Sequence, residues 1–179
     1  FGGLLELTFT GNRVFVNRIT NNEDIMNVLS QRLYLVDTNM KRVSTDMSSV
    51  FIDEYKKGRN IETINELKHL TSTVSNLIKS MCIGHISMDM RHFDHWMVRY
   101  IDREWELRKK IYKENSNQLD SMMDEIKSVF DDNNVIGCKM LGASGGGCML
   151  MYVPPGIDTS KLVEKTNDMG CDMIKVNID

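Results

Sequence analysis

Between Lys139 and Pro154 the sequence reads KMLGASGGGCMLMYVP, and its glycines are the residues best suited to chemistry. Gly142, Gly145, Gly146 and Gly147 remove side chains where backbone N–H groups can converge on an anion. The same spacing also suits a glycine-bearing bend into a buried strand, Cys148–Val153. A P-loop is excluded, because no Gly-Lys-Ser/Thr follows and a strand stands where a helix should begin. A Rossmann fingerprint fails for the same reason: no helix N-terminus faces the phosphate position. Spacing leaves both readings open.

Three further groupings carry chemistry. Arg42 and Ser44 put a guanidinium and a hydroxyl at a strand exit, a pair suited to a sugar phosphate. The competing reading is an exposed arginine and a serine that caps the following helix. Lys139 could steer a phosphate or simply be solvated. In GHISMDMRHFDHW, offsets of four and three place His85, Asp89 and His92 on one helix face, continued by His95. Half-buried helical histidines are common, so no metal site is expected there.

The elements that must position these groups follow from apolar periodicity. LLELTF and VFVNRI flank a Gly11-Asn12 turn and predict a β-hairpin. Asn22 caps a short helix running to Gln31, with Glu23 and Asp24 in its first turn. Arg32–Thr38 reads as a strand buried on both faces. From Ser44 to about Phe130 the pattern is helical. Ile61, Ile64, Leu67, Leu70, Val74, Leu77, Ile78 and Met81 form one apolar stripe. Gly84 marks a break, a second long helix carries Trp96, Tyr100, Trp105 and Ile111, and NSNQ precedes a third helix from Leu119 to Phe130. A last helix begins near Asp158 and Met173–Ile178 closes as a strand. Strands drawn from distant parts of the chain, with helices between them, predict an α+β fold with a small, mostly antiparallel sheet.

With 179 residues the chain is long enough for one domain with a core, or one domain plus an appendage. Its formal charge of -3 gives no reason to expect nucleic acid or an anionic membrane as partner. No run approaches the ~20 apolar residues of a membrane helix. Cys82, Cys138, Cys148 and Cys171 form no CxxC pair and read as reduced, mostly buried thiols. Without a recognisable signal peptide, the cytoplasm is the expected compartment. The opening FGGLLEL enters a strand at once, which suggests a piece of a longer protein.

KMLGASGGGCMLMYVP resembles the third motif of the GHMP small-molecule kinases: a lysine, two apolar residues, a glycine-rich run and an apolar strand. FGG followed by LLELTF looks like the segment after that family's Asp-Gln helix. LYLVDTNMKRVSTDM and REWELRKKIYKENSNQLDSMMDEI resemble stretches of the D-glycero-D-manno-heptose 7-phosphate kinase branch. The similarity runs essentially end to end. It implies a GHMP C-terminal domain with a ferredoxin-like sheet over residues 21–179, preceded by a hairpin at 1–20 left from the N-terminal kinase domain.

The resemblance also implies a function. The complete protein would be an ATP-dependent, Mg²⁺-requiring sugar kinase. Gly142, Ala143, Ser144, Gly145, Gly146 and Gly147 would lie near the nucleotide phosphates, and Arg42, Ser44 and Lys139 toward the acceptor. Ser144 stands where the family usually has glycine, and Asn39 replaces another glycine, at a turn where asparagine is the next-best residue for positive φ. The family's Gly-Leu-Gly-Ser-Ser phosphate loop, its candidate catalytic aspartate and its Mg²⁺ ligands have no match here and are expected on a missing N-terminal half. Arg108 replaces the branch's usual lysine on a helix face read as structural. The acceptor would be heptose 7-phosphate; alternatives are an unphosphorylated sugar such as fucose or galactose, or a non-catalytic binding module descended from a kinase half. Exposed apolar surface on the hairpin would favour self-association.

Overall fold

The structure, a computed structural model, describes residues 3–40, 44–82, 89–112, 117–130, 135–142 and 146–178. Strands β1 (Leu5–Thr10) and β2 (Arg13–Arg18) form the hairpin, paired antiparallel from Leu5–Arg18 to Thr10–Arg13. Gly11 turns it with φ 55°, a conformation that costs a residue without Cβ nothing. Helix α1 (Glu23–Ser30) starts where the Asn22 side chain accepts from the N–H groups of Asp24 and Ile25. Then come β3 (Leu33–Asp37), α2 (Ser44–Lys56), α3 (Ile61–Cys82), α4 (Met90–Tyr112) and α5 (Asn117–Lys127). The chain closes with β4 (Gly137–Met140), β5 (Cys148–Tyr152), α6 (Thr159–Asp168) and β6 (Asp172–Lys175).

The second sheet has the order β4-β5-β3-β6, and every neighbouring pair is antiparallel. A helical excursion separates β3 from the β4–β5 hairpin, and α6 leads into β6, which is the split βαβ arrangement of ferredoxin-like sheets. Side chains alternate across the sheet, so each face meets its own core. Val36, Met140, Met149 and Met151 pack with Ile126 of α5 and Leu162 of α6. On the opposite face Tyr152 and Leu33 meet Leu29, Ile78, Phe93 and Ile101 from α1, α3 and α4. Leu4 and Ile19 at the hairpin base join this second core, and Ile19 N donates to Leu4 O at 2.8 Å.

Helix α4 runs along the outer edge of β4. A Cβ at Gly137 would lie 2.9 Å from the Val98 carbonyl oxygen, so only glycine permits this approach. The edge is closed by Asp102, which accepts from Cys138 N at 3.0 Å and from Lys127 Nζ at 2.7 Å. A buried ionic group ties three elements together on the opposite core. Arg32 donates to both Asp94 oxygens, at 2.6 and 3.3 Å, and Tyr152 donates its hydroxyl to Asp94 at 2.6 Å. Burial first, and Asp94 second, pushes the Tyr152 phenol above the ordinary tyrosine range.

Three expectations need correction. In β3 only Val36 is fully buried; Leu33, which borders a cavity, and Tyr34, Leu35 and Asp37 are partly exposed. The last strand is Asp172–Lys175, shorter than the Met173–Ile178 run, although Val176 N still donates to Leu33 O at 3.0 Å. Strand β4 escapes the sequence reading altogether: Gly-Cys-Lys-Met has little β propensity, and pairing with β5 makes it a strand. Gly84, the expected break between α3 and α4, lies outside the described residues; between α2 and α3, Gly58 and Asn60 both take positive φ.

Candidate functional site

The glycine stretch is the connection between β4 and β5. Leu141 N donates to Cys148 O at 2.9 Å, which closes the base of the turn. Gly142, Gly146 and Gly147 take φ of 67°, 103° and 89°, so glycine is required at each by backbone conformation. At Gly142 that is the whole reason, since an added Cβ would meet nothing within 4 Å. Ala143, Ser144 and Gly145 lie outside the described residues, as does Arg42.

Both ends of the loop are held. On the far side, the Thr38 hydroxyl and N–H donate to Gly147 O at 2.6 and 2.9 Å, just past the end of β3. Asn39 follows at φ 53° and donates its amide to Gly170 O at 2.7 Å, so asparagine serves at this positive-φ position. On the near side, Arg108 Nη1 donates to Gly142 O at 2.8 Å. Its Nε donates to Glu104 Oε1 at 2.5 Å, one turn earlier on α4, which fixes the guanidinium in place.

Lys139 belongs to the same group. It points from β4 toward the α4 side of the sheet, 3.2 Å from Glu104 Oε1, with its side chain only 20% exposed. It is therefore not a solvated lysine. Burial holds its ammonium below the ordinary lysine range, against the pull of Glu104 and with the push of Arg108. One carboxylate thus faces two cations at the near end of the loop. Such a corner is suited to an anion.

Ser44 is the first residue of α2. Helix α4 begins only at Met90, so Asp89 precedes it, accepts from Arg91 N at 3.1 Å and pairs with Arg91 Nε at 3.2 Å. His85 lies outside the described residues.

Sequence reasoning missed Arg108, Glu104 and Thr38 as supports of the loop. The Glu104–Arg108 pair was visible as an i,i+4 charge spacing, yet its contact with Gly142 joins residues 34 apart. Trp105, read as structural, is buried at 5% exposure and donates Nε1 to Asp120 at 2.8 Å. It anchors the helix that carries the other two.

No family model matches the chain, and neither does any curated protein. Solved structures do. Phosphomevalonate kinase of Streptococcus pneumoniae matches with a TM-score of 0.59 at 12% identity, over 89% of this chain and 42% of that one. A candidate sugar kinase of Campylobacter jejuni matches with a TM-score of 0.54 at 17% identity, over 93% of this chain and 43% of that one. The chain spans less than half the length of either neighbour. What it shares with them is a fold, an α+β arrangement with a small antiparallel sheet and covering helices.

Proposed function

We propose that the chain is the C-terminal part of a GHMP-type, ATP-dependent kinase that phosphorylates a sugar-phosphate hydroxyl, with heptose 7-phosphate as the acceptor. The observation that carries this reading is the glycine loop, anchored at Gly142 by Arg108 and at Gly147 by Thr38, beside two cations and one carboxylate. The motif resemblance and the fold shared with two kinases support it.

In this reading the loop faces the nucleotide phosphates. Gly146 and Gly147 bring backbone close to the ligand, and Arg108 sets where the loop begins. The acceptor oxygen bonds to the γ-phosphorus, the bond to the bridging β–γ oxygen breaks, and the hydroxyl proton passes to a base outside this chain. Catalysis of this type rests on positioning and charge stabilisation. The Mg²⁺ ligands are proposed to lie on the N-terminal half of the complete protein. The cytoplasm is the proposed compartment.

Arg42 is the proposed partner of the acceptor's existing phosphate. In the complete enzyme, Arg42→Ala is expected to raise the KM for the sugar phosphate roughly tenfold or more, the weight of a charge-assisted contact, with little change in the KM for ATP. Small, equal changes in both would remove Arg42 from the site. Competition between heptose 7-phosphate and plain fucose or galactose tests the acceptor class, and preference for a plain sugar would overturn it.

A further inference from the structure

Between the hairpin base, α3, α4 and the sheet lies a cavity of about 330 Å³, within the range of small-molecule sites. Most of its wall is aliphatic, including Leu4, Leu33, Leu70, Val74 and Leu150. Two polar side chains on that wall are incomplete. Ser75 is 3% exposed, and its Oγ has no hydrogen-bond partner. The hydroxyls of Thr71, Thr73 and Ser80 in the same helix donate to carbonyls four residues back, a bond that the buried Ser75 lacks. Ser75 stands near enough to Glu6 to help keep that carboxyl ionised, yet makes no well-formed bond to it. The second group is Glu104, whose Oε2 is buried without a partner while Oε1 takes both Arg108 and Lys139.

A buried carboxylate oxygen without a donor and a buried hydroxyl without a partner each carry a desolvation penalty that a ligand would relieve. The charges on the wall are already paired, Glu6 with Lys79 at 2.7 Å and Glu104 with Lys139 at 3.2 Å. A charged guest would bring an uncompensated charge into an apolar space. We propose that this cavity is a binding site for a neutral, largely apolar small molecule bearing a hydroxyl group, which donates to Glu104 Oε2 while its hydrocarbon body fills the aliphatic wall. The site shares Glu104 and Lys139 with the group beside the phosphate-side loop, but does not require the kinase reading to hold.

The probe is 4-propylphenol, with propylbenzene as its matched hydrocarbon, titrated against the protein by ligand-observed NMR. The phenol is expected to bind with magnetisation transfer to the methyls of Leu70 and Ile78. Propylbenzene is expected to bind roughly tenfold more weakly, the loss of one hydrogen bond to a charged acceptor. In Glu104→Gln that discrimination is expected to shrink, and Val74→Phe is expected to abolish binding of both. Equal binding of the two compounds, no binding of either, or transfer to methyls elsewhere would overturn the proposal. Because the first comparison uses the unaltered protein, misfolding of either variant leaves the test intact.

Discussion

Single residues explain why the sheet tolerates polar chemistry in its core. Cys138 is 1% exposed on β4, and burial pushes its thiol up to about 12. An unfolded chain ionises the same thiol near about 8.5. The sign follows directly: below that value neither state loses the proton, and above it only the unfolded state gains the charge. Stability is therefore lost as pH rises from about 8.5 to about 12, with a slope from this group approaching 1.4 kcal/mol per pH unit. Urea unfolding of the native protein and of Cys138→Ala across that window is expected to show a shallower alkaline loss in the variant. Parallel curves would mean that Cys138 titrates normally in the folded protein.

At the scale of elements, β4, β5 and α4 act as one device. Gly137 lets α4 lie against β4, Asp102 closes the strand edge, and Arg108 on the same helix reaches Gly142. If the complete protein is the proposed kinase, Arg108→Ala is expected to lower its kcat/KM by about a hundredfold through a displaced loop, with Arg108→Lys restoring part of it. Circular dichroism and melting should stay close to those of the native protein, and unchanged kinetics would show that the loop holds its shape alone. The helical frame around this device was legible in the sequence. Apolar spacing located α3, α4 and α5, Asn22 and Asp158 marked helix starts, and the glycines announced a special backbone. What could not be read was β4, whose Gly-Cys-Lys-Met becomes a strand only by pairing with β5. Nor could the contacts of Arg108 and Thr38 be read, because they join residues 34 and 109 apart and depend on tertiary packing. Lys139 looked solvated for the same reason: its neighbour Glu104 comes from a helix far away in sequence.

At the scale of the whole molecule, the hairpin stands out as apolar surface. Leu7, Phe9, Val14 and Val16 share one of its faces by register and are exposed, Phe9 at 71%. An exposed apolar face of this kind drives association. Sedimentation velocity on this chain alone is expected to show dimers or larger species, and Phe9→Lys with Val14→Lys is expected to return a monomer of unchanged helix content. A monomeric unaltered chain would show that the face is tolerated in water.

The central claim concerns phosphoryl transfer, and ADP release tests it most directly. The assay supplies Mg-ATP with a panel of sugars and sugar phosphates, to this chain alone and to the chain joined to a GHMP N-terminal half bearing the phosphate loop. The expected result is no turnover by the chain alone and turnover by the joined protein, fastest on heptose 7-phosphate. Turnover by the lone chain, or silence from a folded joined protein on every acceptor, would contradict the account.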